Sequence, residues 1–203
     1  MNERNKMKKQ LFLIGTTMVL LAGMHQNAMA QLFPLTNFEH ILIDDAHIKW
    51  GDFDDPGWLR YFGVDFTDIN RDGYADIIAG REVYMNPGGT MDGKWAKHVL
   101  PVNADGILCF DVDGDEYADL IAQALPKLYW FEAENTRGDS WKMTEIGTVP
   151  ATSHVNSQGF EHADFIKGGK REFVIAGDGD VYMFEVPSNP AQDPWPRKLV
   201  AKN

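Results

Sequence analysis

Nine residues, Asp68-Ile-Asn-Arg-Asp-Gly-Tyr-Ala-Asp76, constrain the fold of this chain more than any other stretch. Oxygen-bearing side chains stand at the first, third, fifth and ninth positions (Asp68, Asn70, Asp72, Asp76), and Gly73 holds the sixth. A hard cation such as Ca²⁺ takes six to eight oxygens at about 2.3–2.6 Å. A loop with an oxygen at every second residue can wrap such an ion. The glycine allows the sharp turn, the Tyr74 carbonyl adds a ligand, and Asp76 can close the site with both oxygens. The flanks, Gly63 to Thr67 and Ile77 to Gly80, are short and β-like, so the loop is expected to join two strands rather than two helices. The alternative is an Asp-rich turn without an ion. Carboxylates converging without a cation repel one another, which favours the ion.

The pattern returns 43 residues on, as Asp111-Val-Asp113-Gly-Asp115-Glu-Tyr117-Ala-Asp119. The second loop repeats the oxygen spacing and the closing Tyr-Ala-Asp, with the Tyr117 carbonyl as the matching ligand. Its sixth position is Glu116, where the turn is expected to cost backbone strain. A third copy starts 53 residues later, at Asp164, and ends at Glu172. Ile166 and Gly168 supply no side-chain oxygen there, so it is expected to keep the turn without the metal.

Around each loop the chain follows one plan of four strands. In the first unit they are Gly63 to Thr67, Asp76 to Ala79, Val83 to Met85 and Trp95 to Leu100. The second unit has Ile107 to Phe110, Asp119 to Ala122, Leu128 to Phe131 and Trp141 to Ile146. The third has Gly159 to Ala163, Phe173 to Ala176, Val181 to Phe184 and Trp195 to Val200. Each fourth strand opens on tryptophan. Four antiparallel strands in a repeat of this length match a propeller blade, and blades must stack to bury both faces.

On these loops and this spacing, residues 60 to 200 resemble the FG-GAP or VCBS repeat family, whose motif is an Asp-x-Asp-x-Asp-Gly-x-x-Asp calcium loop between the first two strands of a blade. The resemblance is densest in the first unit, departs at Glu116 in the second and thins in the third. It implies an all-β propeller of three four-stranded blades, residues 63–101, 102–148 and 149–203, holding Ca²⁺. Residues 31–62 are expected to supply a leading strand, Phe38 to Ile43, and a connector. With Asn86-Pro87-Gly88-Gly89, the chain also resembles seven-bladed propellers linked to the degradation of acidic sugars. Closed propellers have four to eight blades. The missing ones are expected from a longer chain or from another subunit.

Residues 1–30 read as a signal peptide: Lys8 and Lys9, an apolar run from Leu11 to Leu21, and Ala28-Met29-Ala30 before Gln31. The expected destination is secretion or the periplasm, with no membrane attachment after cleavage. The leader carries +3, so that of the formal −11 the rest of the chain carries −14, a balance that argues against a nucleic-acid partner. Cys109 is the one cysteine, which excludes an internal disulfide, and its apolar neighbours mark it as a core residue.

Blade geometry puts the acidic loops on one side and the inter-blade connections on the other. The connection side gathers Trp58, Arg60, Asn103, Asp105, His154, Asn156 and Gln158, the expected ligand-binding residues. Arginines on an acidic protein suit an anionic ligand, an acidic polysaccharide or oligosaccharide, since guanidinium pairs with carboxylate in a bidentate way. Two functions follow. In one, the segment is a carbohydrate- or protein-binding module. In the other, it is a polysaccharide lyase or glycoside hydrolase acting on rhamnose- and uronate-containing glycans, with His154 or Tyr61 as base and Arg60 or Arg81 neutralising a carboxylate. No carboxylate pair or nucleophile elbow stands out, and the histidines show no zinc spacing.

Overall fold

The computed structural model describes residues 39–47, 61–89, 91–151 and 156–203. Residues 1–30, expected to be a signal peptide, together with Trp58, Arg60 and His154, lie outside the described residues. Among those described there are twelve strands and no helix. They form three antiparallel four-stranded sheets, each a simple meander. Sheet 1 is β1 (Val64–Thr67), β2 (Asp76–Ala79), β3 (Glu82–Met85) and β4 (Ala96–Val99). Sheet 2 is β5 (Asp105–Phe110), β6 (Asp119–Ala124), β7 (Lys127–Ala133) and β8 (Trp141–Thr148). Sheet 3 is β9 (Phe160–Ala163), β10 (Glu172–Gly177), β11 (Asp180–Glu185) and β12 (Arg197–Ala201). Strand ends differ from the expected ones by no more than two residues.

Local chemistry sets the meanders. The acidic loops connect the first and second strands of each sheet, and tight turns connect the second and third. The β10–β11 turn is Asp178-Gly179 with φ of 51° and 86°, the pair of left-handed residues a two-residue hairpin requires. Each repeat tryptophan pins the loop before the fourth strand. The indole N–H of Trp95 donates to Met91 O (3.2 Å), that of Trp141 to Gly138 O (3.1 Å) and that of Trp195 to Pro190 O (2.8 Å).

Pairing register fixes which side chains share a face. In sheet 1, Phe66, Ile77, Tyr84 and Lys97 lie opposite one another, and Ile78 and Val83 point the other way. Ile78 and Val83 pack with Cys109, Leu120 and Phe131 of sheet 2. The other face of sheet 2, with Leu108, Ile121 and Trp130, packs on Phe173, Ile175 and Phe184 of sheet 3. Sheet 2 is therefore covered on both faces. Cys109 is buried, and burial holds its thiol well above its ordinary pKa, as suits a core residue.

Glycine permits the closest approach. A Cβ on Gly63 would stand 2.0 Å from Gly106 O, and one on Gly106 would stand 2.5 Å from Ile78 Cγ1. Gly63, Gly106 and Gly159 hold the same repeat position, five residues before their loops.

The expected leading strand is absent where it can be checked: Glu39 to His47 form no strand, and Phe38 lies outside the described residues. An isolated segment with no ladder to join satisfies its groups by other means. This one is held by side chains. Asp44 Oδ2 accepts from Tyr84 Oη (2.7 Å) and from Lys97 Nζ (2.8 Å), which also donates to Ala46 O (3.2 Å).

Candidate metal centre

The first two acidic loops have one backbone. Both take left-handed φ at their fourth and sixth positions: Arg71 (62°) and Gly73 (91°) in the first, Gly114 (90°) and Glu116 (77°) in the second. The glycine has changed places between them. Glu116 therefore adopts the conformation that its type disfavours, at a cost on the order of 1–2 kcal/mol, while Gly114 relieves the position that Arg71 strains. The third turn has a single left-handed residue, Gly168 (83°).

The carboxylates are oriented by the loops' own amides. Asp68 accepts from the N–H of Asp72 (3.0 Å) and of Gly73 (2.8 Å). Asn70 Oδ1 accepts from Asp72 N–H (3.0 Å), and Asp72 Oδ1 from Tyr74 N–H (2.9 Å). Asp111 accepts from Gly114 (2.7 Å) at the fourth position, where Asp68 uses the fifth, and from Glu116 (3.1 Å) at the sixth; Asp113 accepts from Asp115 (3.1 Å) and Asp115 from Tyr117 (2.9 Å) as in the first loop. One oxygen from each of Asp111, Asp113 and Asp115 lies within 4.8 Å of the other two, a grouping that could hold a metal ion. Burial and the two neighbouring aspartates push the Asp115 carboxyl up, against the pull of the Tyr117 amide.

The ninth-position acids do something different. Asp76 is fully buried and bonds the loop to the far strand, through Ile69 N–H (2.9 Å) and Asn86 N–H (2.7 Å). Asp119 does the same through Val112 N–H (3.3 Å) and Ala133 N–H (2.9 Å). Glu172 takes over in the third turn, its Oε2 accepting from Phe165 (2.9 Å) and Ile166 (3.0 Å). Burial raises Asp76 and lifts Asp119 to about 7, despite the Ala133 amide and the indole N–H of Trp130, which acts on Asp119 at longer range without making a hydrogen bond of its own. Between the loops, Arg71 pairs with Glu116 and stands 6.0 Å over the Tyr117 ring.

On the connection side, polar residues are drawn into the joints between sheets. Asp105, fully buried, accepts from Phe62 N–H (3.2 Å), Gly63 N–H (3.0 Å), Gln123 Nε2 (3.1 Å) and Asn156 Nδ2 (2.9 Å). Gln123 also donates to Ser157 O (2.9 Å) and accepts from Ser157 N–H (2.6 Å). Groups from all three sheets or their approaches thus meet on one carboxamide and one carboxylate. Burial raises the Asp105 carboxyl against these donors. Asn103 accepts from Tyr61 Oη (3.2 Å), and Gln158 is exposed. Burial pushes the Tyr61 phenol up to about 12, so at neutral pH it is a hydrogen-bond donor and not a tyrosinate base. Arg81 spends its Nε–H on Leu100 O (2.8 Å).

One cluster had no signature in the spacing. Asp44, His47 and Glu82 bring a ligand-type atom each within 4.8 Å, although Glu82 lies 35 residues beyond His47. His47 pairs with buried Glu82, and Tyr84 Oη lies 2.7 Å from Asp44 and 2.8 Å from Glu82. Lys97 Nζ stands 2.8 Å from Asp44 and 3.2 Å from Glu82, so the chain supplies its own cation here. A pocket of about 290 Å³ adjoins the cluster, lined by Leu42, Asp44, Tyr84, Lys94 and Lys97 among others. A larger one, about 430 Å³, lies between Glu145, Thr148 and Arg197.

Compared with known proteins, the chain matches no protein-family model and no curated protein.

Proposed function

We propose that the three sheets are successive blades of a β-propeller of the FG-GAP or VCBS type, that the loops 68–76 and 111–119 each bind one Ca²⁺, and that the whole is an extracellular or periplasmic module binding a carbohydrate or a protein partner. The supporting observation is the shared backbone of the two loops, with carboxylates already oriented by amides and three of them within 4.8 Å in the second. In the first loop, Asn70 Nδ2 donates to Asp72 Oδ2 (2.9 Å). An ion would take over that role once the amide turned its oxygen inward. Arg71 and Glu116 pair between the two loops at an exposed position. The ions stiffen the scaffold, and the ligand meets the connection side, where an acidic oligosaccharide is the first class to test.

Calcium titration tests the reading. Calorimetry should find two sites per chain, and Asp68→Ala and Asp111→Ala should each remove one. Extracellular calcium modules have Kd on the order of 10⁻⁴–10⁻³ M. At about a hundredfold excess over Kd, the gain is about 2.7 kcal/mol, seen as a rise in Tm that chelator reverses. No heat, and a Tm indifferent to chelator, would refute the metal sites.

A further inference from the structure

Each sheet has two unlike faces. The leading face carries the residue two before the acidic loop (Phe66, Cys109, His162), and the trailing face carries the residue three before it (Asp65, Leu108, Glu161). Both internal junctions join a trailing face to the next leading face. At the first, Asp65 Oδ2 also accepts the Cys109 amide (2.7 Å); at the second, Phe110 stacks on His162 with centroids 4.7 Å apart. Among the described residues, two faces have no other sheet packed on them: the leading face of sheet 1 and the trailing face of sheet 3.

The leftover leading face is apolar where the covered ones are. Phe66 is 70 % exposed, whereas Cys109, at the same position in sheet 2, is 4 % exposed. Val64 and Val99, on the same side of sheet 1, are also exposed. Among the described residues, Asp44 and His47 meet the half of this face formed by Glu82, Tyr84 and Lys97. The leftover trailing face repeats the chemistry of a trailing face already in use. Across sheet 1 it reads Asp65, Ile78, Val83, His98; across sheet 3 it reads Glu161, Val174, Met183, Lys198. In both rows an acid on the inner strand is followed by two apolar residues and a basic one.

We propose that a second copy of this chain covers the leading face of sheet 1 with the trailing face of its sheet 3, and receives the same contact in return. Glu161 of the copy then stands to Phe66 as Asp65 stands to Cys109. Such a contact is head-to-tail, and two of them related by a two-fold axis close the pair. Six sheets result, within the four to eight of closed propellers. The closure rests on the propeller reading, whereas the loops' calcium does not, so the mass measurement and the calcium titration fail separately.

Sedimentation equilibrium across the micromolar range, with calcium present, tests the pairing. The wild-type chain should show twice the mass of one chain. Phe66→Glu and Val174→Glu should each sediment as single chains. An equimolar mixture of the two should recover a two-chain species, because each variant keeps the face that the other has lost. Glu161→Arg, at an exposed position, repeats the trailing-face test where Val174→Glu misfolds by circular dichroism. A wild-type single chain throughout overturns the proposal. So does a dimer that Val174→Glu and Glu161→Arg both leave intact, which would mean sheet 1 pairing with its own copy. A mass that climbs past two chains overturns the closed ring.

Discussion

A single backbone conformation, used twice with its glycine in different places, accounts for both acidic loops. Spacing alone ties glycine to the sixth position, which makes Glu116 look out of pattern. The loops instead need left-handed residues at the fourth and sixth positions, and each contains one glycine and one side chain that bears the strain. The prediction follows from open space. Nothing lies within 4 Å of a Cβ placed on Gly73 or on Gly114. Gly73→Ala and Gly114→Ala should therefore lose stability through backbone strain alone, about 1–2 kcal/mol each by urea unfolding, and the two losses should be alike. A loss at only one of them would mean the loops are not equivalent. Oxygen spacing was legible from the sequence because alternate residues of one short loop need no distant partner. The fate of Asp105 and Asn156 was not. They look like surplus polarity in connectors, yet they bond each other, and Asp105 also gathers Phe62 and Gly63 from the approach to sheet 1 and Gln123 from the neighbouring strand.

Strands and sheets were legible for the same local reason: β-branched and aromatic runs between turn residues give each meander without appeal to its neighbours. The upstream segment shows the limit. Glu39-His40-Ile41-Leu42-Ile43 has strand-like composition, but a strand is completed by its partner, and none is paired with it here. The residues just after it, Asp44 to His47, are docked by charge instead. The Lys97 ammonium, then the Tyr84 hydroxyl, hold the Asp44 carboxyl down at about 2, below its ordinary 3.8. A carboxyl depressed in the folded state contributes stability above its unfolded pKa and loses it as pH falls through the folded one. The Asp44 contribution should thus be full above about pH 4 and gone near pH 2. Asp44→Asn should lower Tm relative to wild type at pH 6, and the gap should close as pH falls from 4 to 2. A gap of constant size would mean that the side chain acts by shape and not by charge.

At the scale of the whole molecule, the three repeats are chemically similar but not equally placed. Sheet 2 packs on both neighbours, every residue of β5 is buried, and its two faces belong to two separate cores. Sheets 1 and 3 each pack on one other sheet, and all five residues of β12 are exposed. Repeat stacks gain stability from interfaces between neighbours, so a repeat with two interfaces opens at higher free energy than one with a single interface. Amide exchange in the dilute single chain should follow that order. The β5, β6 and β7 amides should exchange slowest, near the global unfolding limit, and those of β1 and β12 sooner. Calcium should slow β1 and β2 most in sheet 1, because its loop joins them and Asp76 carries the constraint on to Asn86. Protection as high in β12 as in β6 would mean that the chain unfolds as one block. In that case the end faces would matter less to its stability than the division into two cores implies.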